Sequence, residues 1–261
     1  MKRAFTLLEL VVVLLVIAIT THLAVREVSR VHDSKLVAAA DRQLDDIREA
    51  ALAFLSDTGR PLTATNGTLS ELWERPQDIP EYRVIRAAQS NLVKGVSSAL
   101  ANDSVYVPTG WRGPYLRMKT GASRLRDPWG NAIETLDDAK MERVSLTNNL
   151  FAASVSHYGP RGRLSEKNTV SLLPRNYPSC SLTLWATGPS LSGDVRLAWY
   201  QPCAGMITGD VKTVSAFSQY KFEGLTPGKR IVTATVSGAS LPIIKLVDIK
   251  PGDNLMEIEI P

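Results

Sequence analysis

The sequence predicts an α+β protein: a long N-terminal helix packed on a small mixed α/β head, followed by an all-β sandwich. Three patterns carry that prediction. Residues 5–25 form an apolar run broken only by Thr6, Glu9, Thr20, Thr21 and His22. Apolar or small residues then recur at Val37, Ala40, Leu44, Ile47, Ala51 and Phe54, in alternating steps of three and four. That spacing keeps them on one face of a helix. Beyond residue 175 the texture changes to short β-rich runs separated by turns. The chain divides into a short basic segment (1–4), a long helix (5–57, apolar over 5–25), a globular unit (58–172) and a β-sandwich (173–261).

Twenty-one residues at about 1.5 Å each give roughly 31 Å of helix, close to the ~30 Å hydrocarbon core of a bilayer. No Gly or Pro occurs before Gly59, so one helix can span the membrane and continue beyond it. The second half carries Asp41, Arg42, Asp45, Asp46, Arg48 and Glu49 opposite its apolar stripe. The stripe is expected to dock on the globular unit, and the membrane half to meet other subunits. Asp57-Thr58-Gly59-Arg60-Pro61 ends the helix with the usual Gly and Pro stop signals.

Glu9 is the one acid inside the apolar run. A charge at mid-membrane costs about 2.5–3.5 kcal/mol and is usually functional. A cleaved secretory signal is the bland alternative, with Lys2-Arg3 before the apolar core. Glu9 is misplaced in such a core, and the only small-residue site, Val16-Ile17-Ala18, lies inside the run. A plain membrane anchor leaves Glu9 unexplained as well.

Composition excludes other classes. Thirty basic and 26 acidic residues give a net charge of +4, too mild for a nucleic-acid surface, and no Lys/Arg stripe interleaves with aromatics. Of three histidines, His22 is in or beside the apolar run, His32 is in the helix and His157 stands alone in a turn. None has metal-ligand spacing, and no nucleophile elbow, zincin or Walker motif occurs. No catalytic residue, metal or cofactor is assigned, and the chain is expected not to be an enzyme.

The pattern Lys2-Arg3-Ala4, then Phe5-Thr6-Leu7-Leu8-Glu9-Leu10, resembles the leader of type IV pilins and type II secretion pseudopilins. The resemblance implies that prepilin peptidase cuts between Ala4 and Phe5 and methylates the new Phe5 amine. Family members nearly always have Gly before the cut; here it is Ala4. An N-terminal amine is cationic or partly so near neutral pH. Pairing the Phe5 amine of one subunit with Glu9 of its neighbour offsets both desolvation costs and fixes axial register. The implied partners are prepilin peptidase, other pilin or pseudopilin subunits in a helical filament, and an inner-membrane assembly platform. The implied location is the bacterial inner membrane, single-pass, with the C-terminal domains in the periplasm. Charge alone does not orient the helix, because Lys2 and Arg3 face Arg26, Arg30 and Lys35 on the far flank.

Within 58–172, residues 68–73 and 89–101 suggest helices and 105–107 a strand. Two turn-like segments carry aromatic anchors: Trp111-Arg112-Gly113-Pro114-Tyr115-Leu116 and Asp127-Pro128-Trp129-Gly130-Asn131. Together they resemble the head of the major pseudopilin of type II secretion, over roughly 111–163. The family's calcium-binding loop does not carry over. Its counterpart, 156–163, holds Arg161 and Arg163, whereas calcium wants carboxylate oxygens. Asp137-Asp138 reads as a solvated pair.

In an exported protein, the two cysteines, Cys180 and Cys203, read as one disulfide. It would close a loop of about 24 residues, worth about 3 kcal/mol. Two buried free thiols are the alternative. Strand-like runs cover 181–185, 195–200, 211–214, 220–222, 231–236, 243–249 and 255–260, and about seven strands in about 85 residues is a sandwich signature. The stretch 222–228 resembles the hairpin of carboxypeptidase-regulatory-like or prealbumin-like sandwiches.

The leading functional expectation is therefore a structural subunit of a type II secretion pseudopilus supporting protein export, with a minor type IV pilin as the near alternative. A binding or adhesion module is the alternative from another class, with Trp185, Trp199 and Tyr200 lining a site. Against that, the same aromatics fit a strand core.

Overall fold

The computed structural model describes residues 7–63, 69–87, 104–118, 121–137, 142–143, 154–159, 168–173, 180–189, 191–239 and 241–261. Ala4, Phe5 and the helix expected over 89–101 lie outside them. Helix α1 spans Leu7–Thr58 without a break. Its composition explains that continuity, since neither Gly nor Pro interrupts it. The helix turns to bury its stripe only in its second half. Ala40, Leu44, Ile47, Ala51 and Phe54 are all buried, with Ala50 and Leu55 beside them. Val37 is half-buried, where the head begins.

The head builds a first core on that stripe. A 3₁₀ turn, Ser70–Leu72, supplies Leu72. Strands β1 (Arg83–Arg86) and β2 (Tyr106–Thr109) form an antiparallel hairpin. Strands β3 (Glu134–Asp137), β4 (Glu142–Arg143), β5 (Ser154–Ser156) and β6 (Thr169–Ser171) form a small antiparallel sheet in the order β4-β3-β5-β6. Val155 of β5, with Ile133 and Leu172, closes on Leu44, Ile47 and Phe54 of α1. Each fully buried large apolar side chain contributes about 1.5–3 kcal/mol.

The C-terminal unit is a two-sheet sandwich of seven strands: β7 (Cys180–Thr187), β8 (Asp194–Cys203), β9 (Met206–Ser215), β10 (Tyr220–Leu225), β11 (Gly228–Val236), β12 (Ile243–Ile249) and β13 (Asp253–Glu259). One sheet runs β10-β7-β13 and the other β12-β11-β8-β9. Inward residues alternate as a two-residue period demands. Leu182, Leu184 and Ala186 of β7 meet Val195, Leu197 and Trp199 of β8 and Val232 and Ala234 of β11. Strand β13 is parallel to β7, so the unit is not purely antiparallel.

The expected hairpin over 222–228 is corrected. Strands β10 and β11 lie in different sheets, so Thr226 and Pro227 carry the chain across the sandwich as an arch. Arg230 and Gln201 fill that end of the core. A third apolar cluster joins head to sandwich. Ile85, Val105 and Val107 of the head hairpin region pack on Ala198, Tyr200, Ile207 and Ile231, the outer face of the four-stranded sheet.

Candidate functional site

Three regions carry the residues singled out by sequence: the free half of α1, two turns in the head, and the junction between α1 and the sandwich.

Residues 9–35 of α1 are exposed throughout. The apolar part, with mean hydropathy 2.0, has none of its surface buried. This is a single N-terminal helix long and apolar enough to span a membrane. Thr20 Oγ1 donates to Val16 O at 2.9 Å and Thr21 Oγ1 to Ile17 O at 2.7 Å. These bonds satisfy the hydroxyls within the helix, as lipid requires. Glu9 is exposed on the same segment.

The first turn, 111–116, is bolted to the end of α1. Trp111 Nε1 donates to Glu71 O at 2.9 Å. The Tyr115 ring meets Phe54 edge-on at 5.8 Å and Trp111 at 6.0 Å. Gly113 is required here, because a Cβ would strike the Trp111 and Tyr115 rings. The Gly113–Pro114 peptide is cis. Tyr115 Oη donates to Asp57 Oδ2 at 3.0 Å, and Arg112 Nε lies 3.1 Å from the same oxygen. Burial raises the Asp57 pKa, and Arg112 and Tyr115 partly oppose the rise. Burial also raises the Tyr115 pKa.

The second turn, 127–131, closes on its own carboxylate. Asp127 Oδ1 accepts from Trp129 N at 3.1 Å and Asn131 N at 2.7 Å. Gly130 sits at φ +88°, the left-handed region that suits Gly. Pro128 lies between the two anchoring residues. The Trp129 ring stacks on His157 with centroids 5.7 Å apart. His157 Nε2 in turn lies 3.4 Å from Asp41 Oδ1 on α1. His157 is therefore not isolated in a turn; it is 1% exposed and links this motif to the helix. Only its sequence neighbours were visible to local reading, and Asp41 lies 116 residues away.

The junction depends on a residue with no sequence signal, Arg230. It is 1% exposed. Its Nε donates to Thr226 O at 3.0 Å, and Nη1 to Ser56 O at 3.1 Å and Lys229 O at 2.8 Å. Nη2 donates to Thr226 Oγ1 and Pro227 O, each at 2.6 Å. Burial lowers the Arg230 pKa to about 10, still far above neutral pH. A cation thus caps the carbonyl end of α1, where the helix dipole is negative. Ala204 N adds a bond to Thr58 O at 2.7 Å. Gly59, at φ +71°, turns the chain so closely that a Cβ would run into the Pro202 carbonyl.

The disulfide expectation is corrected: Cys180 and Cys203 are free thiols. Cys180 opens β7 in one sheet and Cys203 ends β8 in the other. Stacked sheets lie about 10 Å apart, beyond the ~7 Å Cα limit for a bridge. Arg230 and Gln201 are buried at this end of the sandwich, where both bond Thr226. Burial raises the Cys180 pKa.

Trp199 and Tyr200 are buried, one in the sandwich core and one at the head junction. Trp185 alone of the three is half-buried, on the outer face. Among the described residues, no three His, Cys, Asp or Glu side chains gather as a metal site. No protein-family model matches the chain, and no curated protein matches it.

Proposed function

We propose that this chain is a structural subunit of a type II secretion pseudopilus. In this reading, prepilin peptidase cuts between Ala4 and Phe5 and methylates Phe5. The product waits in the inner membrane with its head and sandwich in the periplasm. It assembles through α1 and is not an enzyme. The carrying observation is Glu9, the one acid inside the apolar run 5–25, on a half of α1 that is exposed among the described residues. Such a carboxylate is tolerable in lipid or a filament core only with a cationic partner. A neighbour's Phe5 amine supplies one. The head motifs give secondary support, because both turns brace the same helix.

Mass spectrometry of the native N-terminus tests the processing step, with methylated Phe5 expected. A chain still starting at Met1, or trimmed near Ala18, would refute it. Glu9→Ala should insert normally but remain unassembled; normal assembly of that variant would refute the register role.

A minor type IV pilin differs in phenotype, since deletion would then remove surface pili and spare export. The reading as a presented binding module finds less support, because Trp199 and Tyr200 are packed away and the sandwich is fixed to the helix end.

A further inference from the structure

A cleft of about 450 Å³ lies beside α1, lined by Gln43, Arg117, Ser123, Arg124 and Arg126 among others. Gln43 Nε2 donates to Arg126 O at 2.9 Å and sets the height of the cleft along the helix. The segment 117–126 carries Arg117, Lys119, Arg124 and Arg126 and no acid. Arg117 and Arg124 are exposed, and among the described residues neither has an ion pair. Arg126 uses Nη1 on Gly130 O at 2.7 Å and keeps its other donors. Several guanidinium groups around one opening call for carboxylate or phosphate.

Height decides between sources. Gln43 lies 18 residues beyond Val25, roughly 27 Å above the membrane edge. A Debye length of about 8 Å at physiological salt removes phospholipid headgroups from reach. The same height on a neighbouring copy holds Asp41, Asp45, Asp46 and Glu49, all exposed on α1. These acids span about 12 Å along the helix. Arg42 and Arg48 share that face, which leaves it net negative. Asp41 has His157 nearby, whereas Asp45, Asp46 and Glu49 have no ion pair among the described residues.

We propose that the basic cleft edge of one copy, carried by Arg117, Arg124 and Arg126, docks on the acidic stripe Asp45–Asp46–Glu49 of the next. The inference rests on the self-assembling reading above. Parallel anchoring in one bilayer brings loop and stripe to the same level. A stagger of four residues, as Glu9-to-Phe5 pairing requires, shifts them by about 6 Å, which sets the upper copy's cleft at the level of Ile47 of the lower copy, inside the stripe. Loop and stripe are different patches, so the contact is heterologous and extends into a filament rather than closing a dimer.

The test uses the full chain in membranes, mixed from ¹⁴N- and ¹⁵N-labelled copies and treated with a carbodiimide. Arg124→Lys keeps the charge and supplies a reactive amine. A mixed-isotope link from residue 124 to Asp45, Asp46 or Glu49 is expected, weakening as salt rises. R117E/R124E should abolish the link and reduce assembly, and D45R/D46R in the same chain should restore assembly. A misfolded head could not be rescued that way. If R117E/R124E assembles like the parent while Glu9→Ala does not, the loop contact is wrong and the assembly reading stands. If the parent itself does not assemble, both fall.

Discussion

Arg230→Met is the sharpest test of how the sandwich is fixed to the helix. The change keeps an unbranched side chain of similar reach and removes five hydrogen bonds at 2.6–3.1 Å. Ser56 O, Thr226 O and Pro227 O lose their donor in a region where Arg230 is 1% exposed. A typical buried bond contributes about 1 kcal/mol net, and an orphaned buried acceptor costs about 1–3 kcal/mol. Releasing the buried charge from its desolvation cost offsets part of that. Three stranded carbonyls, less that relief, put the net cost at about 3–5 kcal/mol. At about 3 °C per kcal/mol for a chain of this size, Tm should fall by about 9–15 °C. Thermal unfolding of the full chain in detergent, followed by tryptophan fluorescence, reads the change. Arg230→Lys should fall between, because an ammonium has three donors without the planar fork. A Met variant within 2 °C of the parent would mean that the sandwich holds to α1 without this cap.

Four further outcomes are expected. Gly59→Ala should destabilise by about 1–3 kcal/mol from strain at φ +71°, with more from contact with Pro202; unchanged unfolding would refute the close approach. Asp57→Asn should change the pH profile with a defined sign. Burial raises the Asp57 pKa, so its contribution is fully present below the unfolded value of 3.8 and lost as pH rises through the folded value. The parent should therefore gain stability over the variant as pH falls, and parallel Tm curves would contradict this. Trp129→Ala removes the stacked partner of His157, worth about 0.5–1.5 kcal/mol beyond burial. Hydrogen exchange should rise at 127–131 and near Asp41, and an unchanged pattern would sever the link. Finally, native alkylation should modify Cys203 and spare Cys180, which is buried; an intact mass two daltons low would restore the disulfide.

Local chemistry made much of this architecture legible. The steps of three and four at Ala40, Leu44, Ile47, Ala51 and Phe54 name a buried stripe because one helix turn repeats every 3.6 residues. The runs at 195–200 and 231–236 lie inside β8 and β11 for a similar reason, since alternation marks a half-buried strand. Asp127 and Gly130 announce a turn through their own backbone chemistry. Strand β1 escaped, because only Ile85 of its four residues is buried, which leaves no alternation to read. The small strands β3–β6 are too short for a period to show.

What the sequence by itself determined was one uninterrupted helix with an acid in its apolar half, a turn-rich head, and seven strands at the C-terminal end. These follow from interactions between residues a few positions apart, where period and backbone preference suffice. The tertiary structure alone decided that β10 and β11 enter different sheets, that the two thiols stay apart, that His157 reaches Asp41, and that Arg230 caps α1 from 174 residues away. Those pairings depend on which buried polar groups meet when sheets and helix close together, and no local pattern records that.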